Sequence, residues 1–266
     1  MQFVKLQIFH RFEFAFTTCH TPVQNTGLPK VTRSIFYHLN YLKSKSMINI
    51  IGLIIPPVLF LLLILYIRII AKTVTVKLLL KAFIWGCVVT LPVILADQLA
   101  HQLHIDGARS IRRMIVFSFV AIAFVSEVSK FIPLRFSLIR KIAIAGPLQG
   151  IPVSMAVSLG LATVYATYYI YFSDRSGADH IFLFSIGPMN AILGLILGFF
   201  TGMGKHRNNL FIDSMTGLGA TIFFHGIYRF TLLTGDITIF GLFALGTLFV
   251  SGILIYKSRH LDSELY

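Results

Sequence analysis

Long apolar runs, each closed by a short polar or basic stretch, dominate the chain. Seven can be read, at roughly 48 to 70, 78 to 97, 114 to 134, 147 to 172, 181 to 203, 212 to 234 and 237 to 256. Each is close to the ~20 residues needed to cross a bilayer. An open sheet would leave backbone groups unpaired in lipid, and the alternation of a barrel strand is absent, so all seven are predicted to be helices. The expected fold is an all-α polytopic membrane helix bundle with about seven transmembrane helices. Pro56, Pro57, Pro92, Pro133, Pro152 and Pro188 interrupt the runs and mark kinks or starts.

Small residues predict tight helix packing. In the fourth run Gly150, Ser154, Ser158, Ala162 and Ala166 recur every four residues, and Gly194, Gly198 and Gly202 do so in the fifth. That spacing lets membrane helices approach closely, so these two are expected to pack tightly within the bundle.

Composition agrees with the pattern. The chain of 266 residues is 56% hydrophobic and 12% charged, with a mean hydropathy of +0.81, far too apolar for a soluble enzyme. A formal charge of +13 would suggest nucleic acid in a soluble protein. Here the basic residues sit in short loops between apolar runs, where they set topology and meet lipid head groups, so the partner is the lipid bilayer and no nucleic acid is expected. Cys19 and Cys87 form no disulfide framework and no metal-type spacing.

Residues 1–46 carry Lys5, Arg11, Lys30, Arg33, Lys43 and Lys45 against Glu13 alone, with no run long enough to span. With seven helices the first, third and fifth loops and the carboxyl terminus share a face. That face holds Arg68, Lys72, Lys77, Lys81, Arg135, Arg140, Lys141, Lys205, Arg207, Lys257 and Arg259, against Arg109, Arg112, Arg113 and Arg175 opposite. The carboxyl terminus is therefore expected in the cytoplasm. The basic amino-terminal segment would then lie outside, against the rule. Met47 directly precedes the first run, so the simplest account is that translation starts there and 47–266 forms the transmembrane domain. The rival account is a genuine interfacial extension, with Phe12, Phe14 and Phe16 lying on the membrane.

Ionisable groups inside spans are costly and mark candidate sites. Glu127 and Lys130 lie in the third run, His225 and Arg229 in the sixth, and Asn190 in the fifth, with Ser126 and Tyr165 as milder polar neighbours. Steps of three and four residues put each charged pair on one helix face, and both faces are expected to point inward. Ser126 and Lys130 have the spacing of a nucleophile and base, but a serine in a membrane helix ordinarily bonds its own backbone. Asp97, His101 and His104 have helical spacing for a metal, yet read better as a wet interfacial helix beside Asp106. Tyr168, Tyr169 and Tyr171 read as an interfacial aromatic belt.

Four segments together resemble the PrsW family of intramembrane proteases. SEVSKFIPL from Ser126 is similar to the family's E-E-x-x-K motif, and GPLQGIPVSMAVSLGLATVYA from Gly146 to its D-P-x-D-G-x-x-Y-G-x-x-x-G-x-G-F-x-x-x-E-N helix. PMNAILGLILG from Pro188 resembles its H-A helix, and HGIYRF from His225 its H-x-x-x-N motif. Order and spacing agree over nearly all of residues 47 to 256. The resemblance implies glutamates and histidines from separate helices gathered around a catalytic water with a metal, a cation that would activate the water and polarise a peptide carbonyl.

Matched residue by residue, the chain keeps Glu127, Lys130 and His225. Ser126 replaces the first glutamate, Gly146 and Gln149 the two aspartates, Tyr165 and Ala166 the glutamate and asparagine, Asn190 a histidine, and Arg229 the last asparagine. A catalytic zinc wants three protein ligands, and the matched positions retain two at most. The leading expectation is a catalytically degenerate relative that binds single-span membrane proteins and holds no cofactor, with Glu127, His225 and Lys130 as vestiges. Arg229 would then replace the ion as a counter-charge facing Glu127, or snorkel to the interface near Gly235. The alternative is an active divergent endopeptidase using Glu127 and His225, with zinc. A small-solute transporter or channel is the third class, weakened by the lack of a duplicated half.

Overall fold

The computed structural model describes residues 30–71, 74–106, 110–138, 146–172 and 180–263. The expectations for residues 1–29 and Cys19 fall outside them. The chain divides into two compact units, Met1–Lys45 and Ser46–Tyr266. In the first, the described residues, 30–45, are helical. The apolar-run reading missed this stretch because Ile35, Leu39 and Leu42 give it helical periodicity without a continuous apolar run.

Among its described residues the second unit has helices joined by short turns and no strand, and seven of the helices are long and apolar enough to cross a membrane: α1 (Asn49–Ile69), α2 (Val76–Gln102), α3 (Ile111–Leu138), α4 (Pro147–Tyr171), α5 (His180–His206), α6 (Leu210–Thr234) and α7 (Ile237–Leu261). Seven apolar runs were expected and seven spans are found. Their outward faces carry large apolar side chains left uncovered by protein, among them Leu91 (62% exposed), Leu95 (65%) and Phe249 (71%). In water such surface would drive aggregation, whereas in hydrocarbon it is the natural boundary.

The proline signals act locally. Pro92 cannot bond the carbonyl one turn back, and α2 breaks just before it, at Val89 between Val76–Val88 and Thr90–Gln102. Thr90 Oγ1 donates to Gly86 O at 2.9 Å across the break. Pro133 stands where α3 gives way to the π-helical stretch Leu134–Leu138. A longer π-helical stretch, Val116–Phe124, precedes Val125–Pro133. No proline announces it, so it was invisible to sequence reading.

Helices α4 and α5 form the centre, buried almost throughout. Both small-residue helices pack tightly, as expected, and their small faces meet each other. A Cβ on Gly198 would stand 2.6 Å from Gly150 O, and one on Gly202 2.6 Å from Pro147 Cα. A second close approach joins α2 to α4, where a Cβ on Gly86 would fall on Val157 O and one on Gly160 on Phe83 O. With no side chain at either glycine, the two backbones touch.

The turn between α6 and α7 is set by sequence. Gly235 takes the left-handed conformation (φ +68°) that closes a helix, and its N–H donates to Leu232 O at 3.3 Å. Asp236 then caps α7, its Oδ1 accepting from Thr238 N–H at 2.8 Å and Ile239 N–H at 3.2 Å.

One expectation is corrected. Tyr168 and Tyr169 are buried, and only Tyr171 faces out, at 66% exposure. The Tyr169 ring meets Phe182 edge-on with centroids 4.6 Å apart, because Tyr168 and Tyr169 lie on the part of α4 that packs inside the bundle, whereas Tyr171 ends the helix. The candidate metal trio is also dispersed. Asp97 is buried within α2, while exposed His101 Nδ1 meets Asp106 Oδ2 at 2.6 Å.

Candidate functional site

The intramembrane polar residues converge, as their inward-facing spacing required. Glu127 on α3 is fully buried and its Oε1 is shared. Lys130 Nζ lies 2.6 Å away, one turn along the same helix, and His225 Nδ1 on α6 lies 2.7 Å away. Lys130 Nζ also donates to Asn190 Oδ1 on α5 at 3.4 Å, and Asn190 Nδ2 donates back to Ile186 O at 3.0 Å. The carboxylate oxygen thereby ties α3 to α6, and Lys130 extends the link to α5. The other carboxylate oxygen, Oε2, has no hydrogen-bond partner.

Beside this cluster lies a small cavity lined by Ser126, Tyr165, Asn190, His225, Tyr228 and Arg229 among apolar neighbours that include Phe182. It has room for about one water molecule. Arg229 is 6% exposed, so it does not snorkel to the interface. Nor does it form an ion pair with Glu127, whose ion-pair partners among the described residues are Lys130 and His225. The guanidinium instead makes cation–π contacts, its carbon 4.5 Å from the Phe182 ring centroid and 5.8 Å from that of Phe117.

Ser126 and Lys130 make no nucleophile and base pair. Lys130 is committed to Glu127 and Asn190, and Ser126 Oγ is buried without a hydrogen-bond partner. Sequence reading missed Phe182, an ordinary aromatic near the start of α5. It also missed Ser185, whose Oγ pairs with Tyr228 Oη at 2.8 Å and so fixes a cavity wall. Neither is ionisable, and neither falls in the four motif segments that hold the uncharged candidates. The π-helical stretch just before Glu127 is the other missed feature; such stretches recur at functional sites.

A family described as PrsW family intramembrane metalloprotease matches residues 75–256. The chain belongs to the PrsW family. It is 25% identical over 189 residues to a protein named Protease PrsW from Oceanobacillus iheyensis, an alignment that covers 70% of this chain and 84% of that one. No solved structure matches. The matched PrsW segment contains Glu127, Lys130, Asn190, His225 and Arg229, every charged or amide member of the cluster.

The family description implies a metal, and the donors of this chain do not fit one. Among the described residues no three His, Cys, Asp or Glu side chains come together. The two ligand-type residues present, Glu127 and His225, are bonded to each other, and an ammonium holds the same carboxylate oxygen. A guanidinium lines the adjoining cavity. A divalent ion placed there would face two fixed cations and at most two protein ligands, short of what a catalytic zinc takes.

Proposed function

We propose that this chain is a PrsW-family membrane protein that has exchanged metal-dependent hydrolysis for a fixed ionic cluster and serves to bind the membrane-spanning segments of other proteins. One observation carries the reading. The two ligand-type side chains at the cluster, Glu127 and His225, are hydrogen-bonded to each other at 2.7 Å, and among the described residues no third His, Cys, Asp or Glu joins them. The substitutions Ser126, Tyr165, Asn190 and Arg229 at matched positions support it, since each removes a ligand or adds a cation.

The test is metal content together with cleavage of a co-expressed panel of single-span proteins. The purified protein is expected to hold no stoichiometric zinc and to release no fragment, while single-span proteins co-purify with it. A stoichiometric metal or a cleaved client would overturn the reading.

A specific geometry favours a second reading, hydrolysis without metal. With Nδ1 donating to Glu127, His225 keeps Nε2 as its remaining acceptor on a cavity of water size. That arrangement is the carboxylate-oriented imidazole that can take a proton from a water as it attacks a carbonyl carbon. A cleavage product that persists through metal chelation and disappears in His225→Gln would establish it.

We also propose that the carboxyl terminus is cytoplasmic, from the eleven basic residues on its face against four opposite. A reporter fused after Tyr266 is expected to report the cytoplasm, and one beside Arg175 the other face. Two reporters on one side would contradict both the orientation and the odd number of spans.

A further inference from the structure

We propose that the cavity between α3, α5 and α6 binds a monovalent anion of about the size of a water molecule, in the chemical class of chloride. The charges of the cluster do not balance. Glu127 and Lys130 cancel, and His225 donates to the same carboxylate, so Arg229 adds a positive charge that no carboxylate pairs with among the described residues. A permanently charged guanidinium in a membrane bundle is costly without a counter-charge.

Among the buried polar atoms that border this cavity without a hydrogen-bond partner are Arg229 Nε and Ser126 Oγ, one from α6 and one from α3. The guanidinium carbon stands over the Phe182 ring at 4.5 Å, a contact that supplies no acceptor atom, and the Nε–H is left to donate elsewhere. Both orphans can donate to one centre, and an anion at that centre would neutralise the surplus charge. Size selects the class, because a site with room for about one water admits a monatomic halide and excludes a carboxylate with its stem. The inference rests on the cavity and its charge, and holds whether or not the protein binds or cleaves a client.

The experiment is thermal unfolding of the detergent-solubilised full chain, followed by helical circular dichroism, as gluconate is replaced by chloride at constant ionic strength. Chloride is expected to raise the midpoint by a few degrees in a saturable way, as a ligand of the folded state does. Acetate, with the same charge in a larger body, is expected to give no rise. Arg229→Met should abolish the chloride effect. Should that variant fail to fold, Ser126→Ala, which removes one donor to the anion, is expected to raise the half-saturating chloride concentration about tenfold. Identical melting in chloride and gluconate would mean the cavity holds only water and would overturn the proposal. So would an equal effect of acetate, or a chloride effect unchanged in whichever of the two variants folds.

Discussion

Glu127→Gln is expected to strip the protein of most of its folded yield, whatever the fate of any activity. The substitution keeps the shape and an acceptor oxygen but removes the negative charge that Lys130 and His225 share. Lys130 is 1% exposed and its Nζ has no other carboxylate in contact, so the variant leaves an ammonium buried against a neutral amide. Removing one partner of a buried ion pair typically costs about 3 to 5 kcal/mol, a large fraction of the ~5 to 15 kcal/mol that holds an ordinary domain together. Monodisperse yield in detergent and the unfolding midpoint measure the loss. The double variant Glu127→Gln with Lys130→Met should recover much of it, because the uncompensated charge goes with the lysine. A singly substituted Glu127→Gln protein with wild-type yield and midpoint would show that the cluster carries little of the stability. If it also lost a wild-type cleavage product, Glu127 would be catalytic.

The span count and the central helix pair were legible because each rests on a repeated signal. Twenty-residue apolar runs are imposed by bilayer thickness, and glycine at every fourth position of α5 permits one kind of contact. Convergence of Glu127, Lys130, Asn190 and His225 was legible for a related reason, since an ionisable side chain in hydrocarbon must turn inward. The partners they choose there were not legible. Arg229 reads from sequence as the counter-charge of Glu127, yet Lys130 takes that place because it sits one turn along the same helix, and Arg229 turns to Phe182. Which of two cations reaches a carboxylate depends on distances of a few ångström between helices, and the chain encodes those through packing. The same holds for Tyr168 and Tyr169, whose position near a helix end suggested an interface until the centrality of α4 put them inside.

The contact between α2 and α4 leads to the last expectation, a contrast between two identical substitutions. Gly160→Ala is expected to destabilise severely, and Gly252→Ala to be neutral or mildly stabilising. At Gly160 the added methyl would land on the carbonyl oxygen of Phe83, with Cys87 N 3.2 Å away, and α2 is as close on its own side through Gly86. Both obstructions are backbone, which cannot swing aside as a side-chain tip can, so the helices must separate along their contact. The core they hold includes Leu79, Ala82, Val153, Ala156 and Val157, all within 1% of full burial. Loss should therefore exceed the ~1 to 3 kcal/mol of ordinary overpacking. At Gly252 on α7 nothing lies within 4 Å of the added atom. Alanine there gains up to ~1 kcal/mol in helix propensity without a collision. Unfolding midpoints of the two variants in the same detergent measure the contrast. Equal midpoints would mean that α2 and α4 do not meet at Gly160, and the bundle would need a different packing of α2.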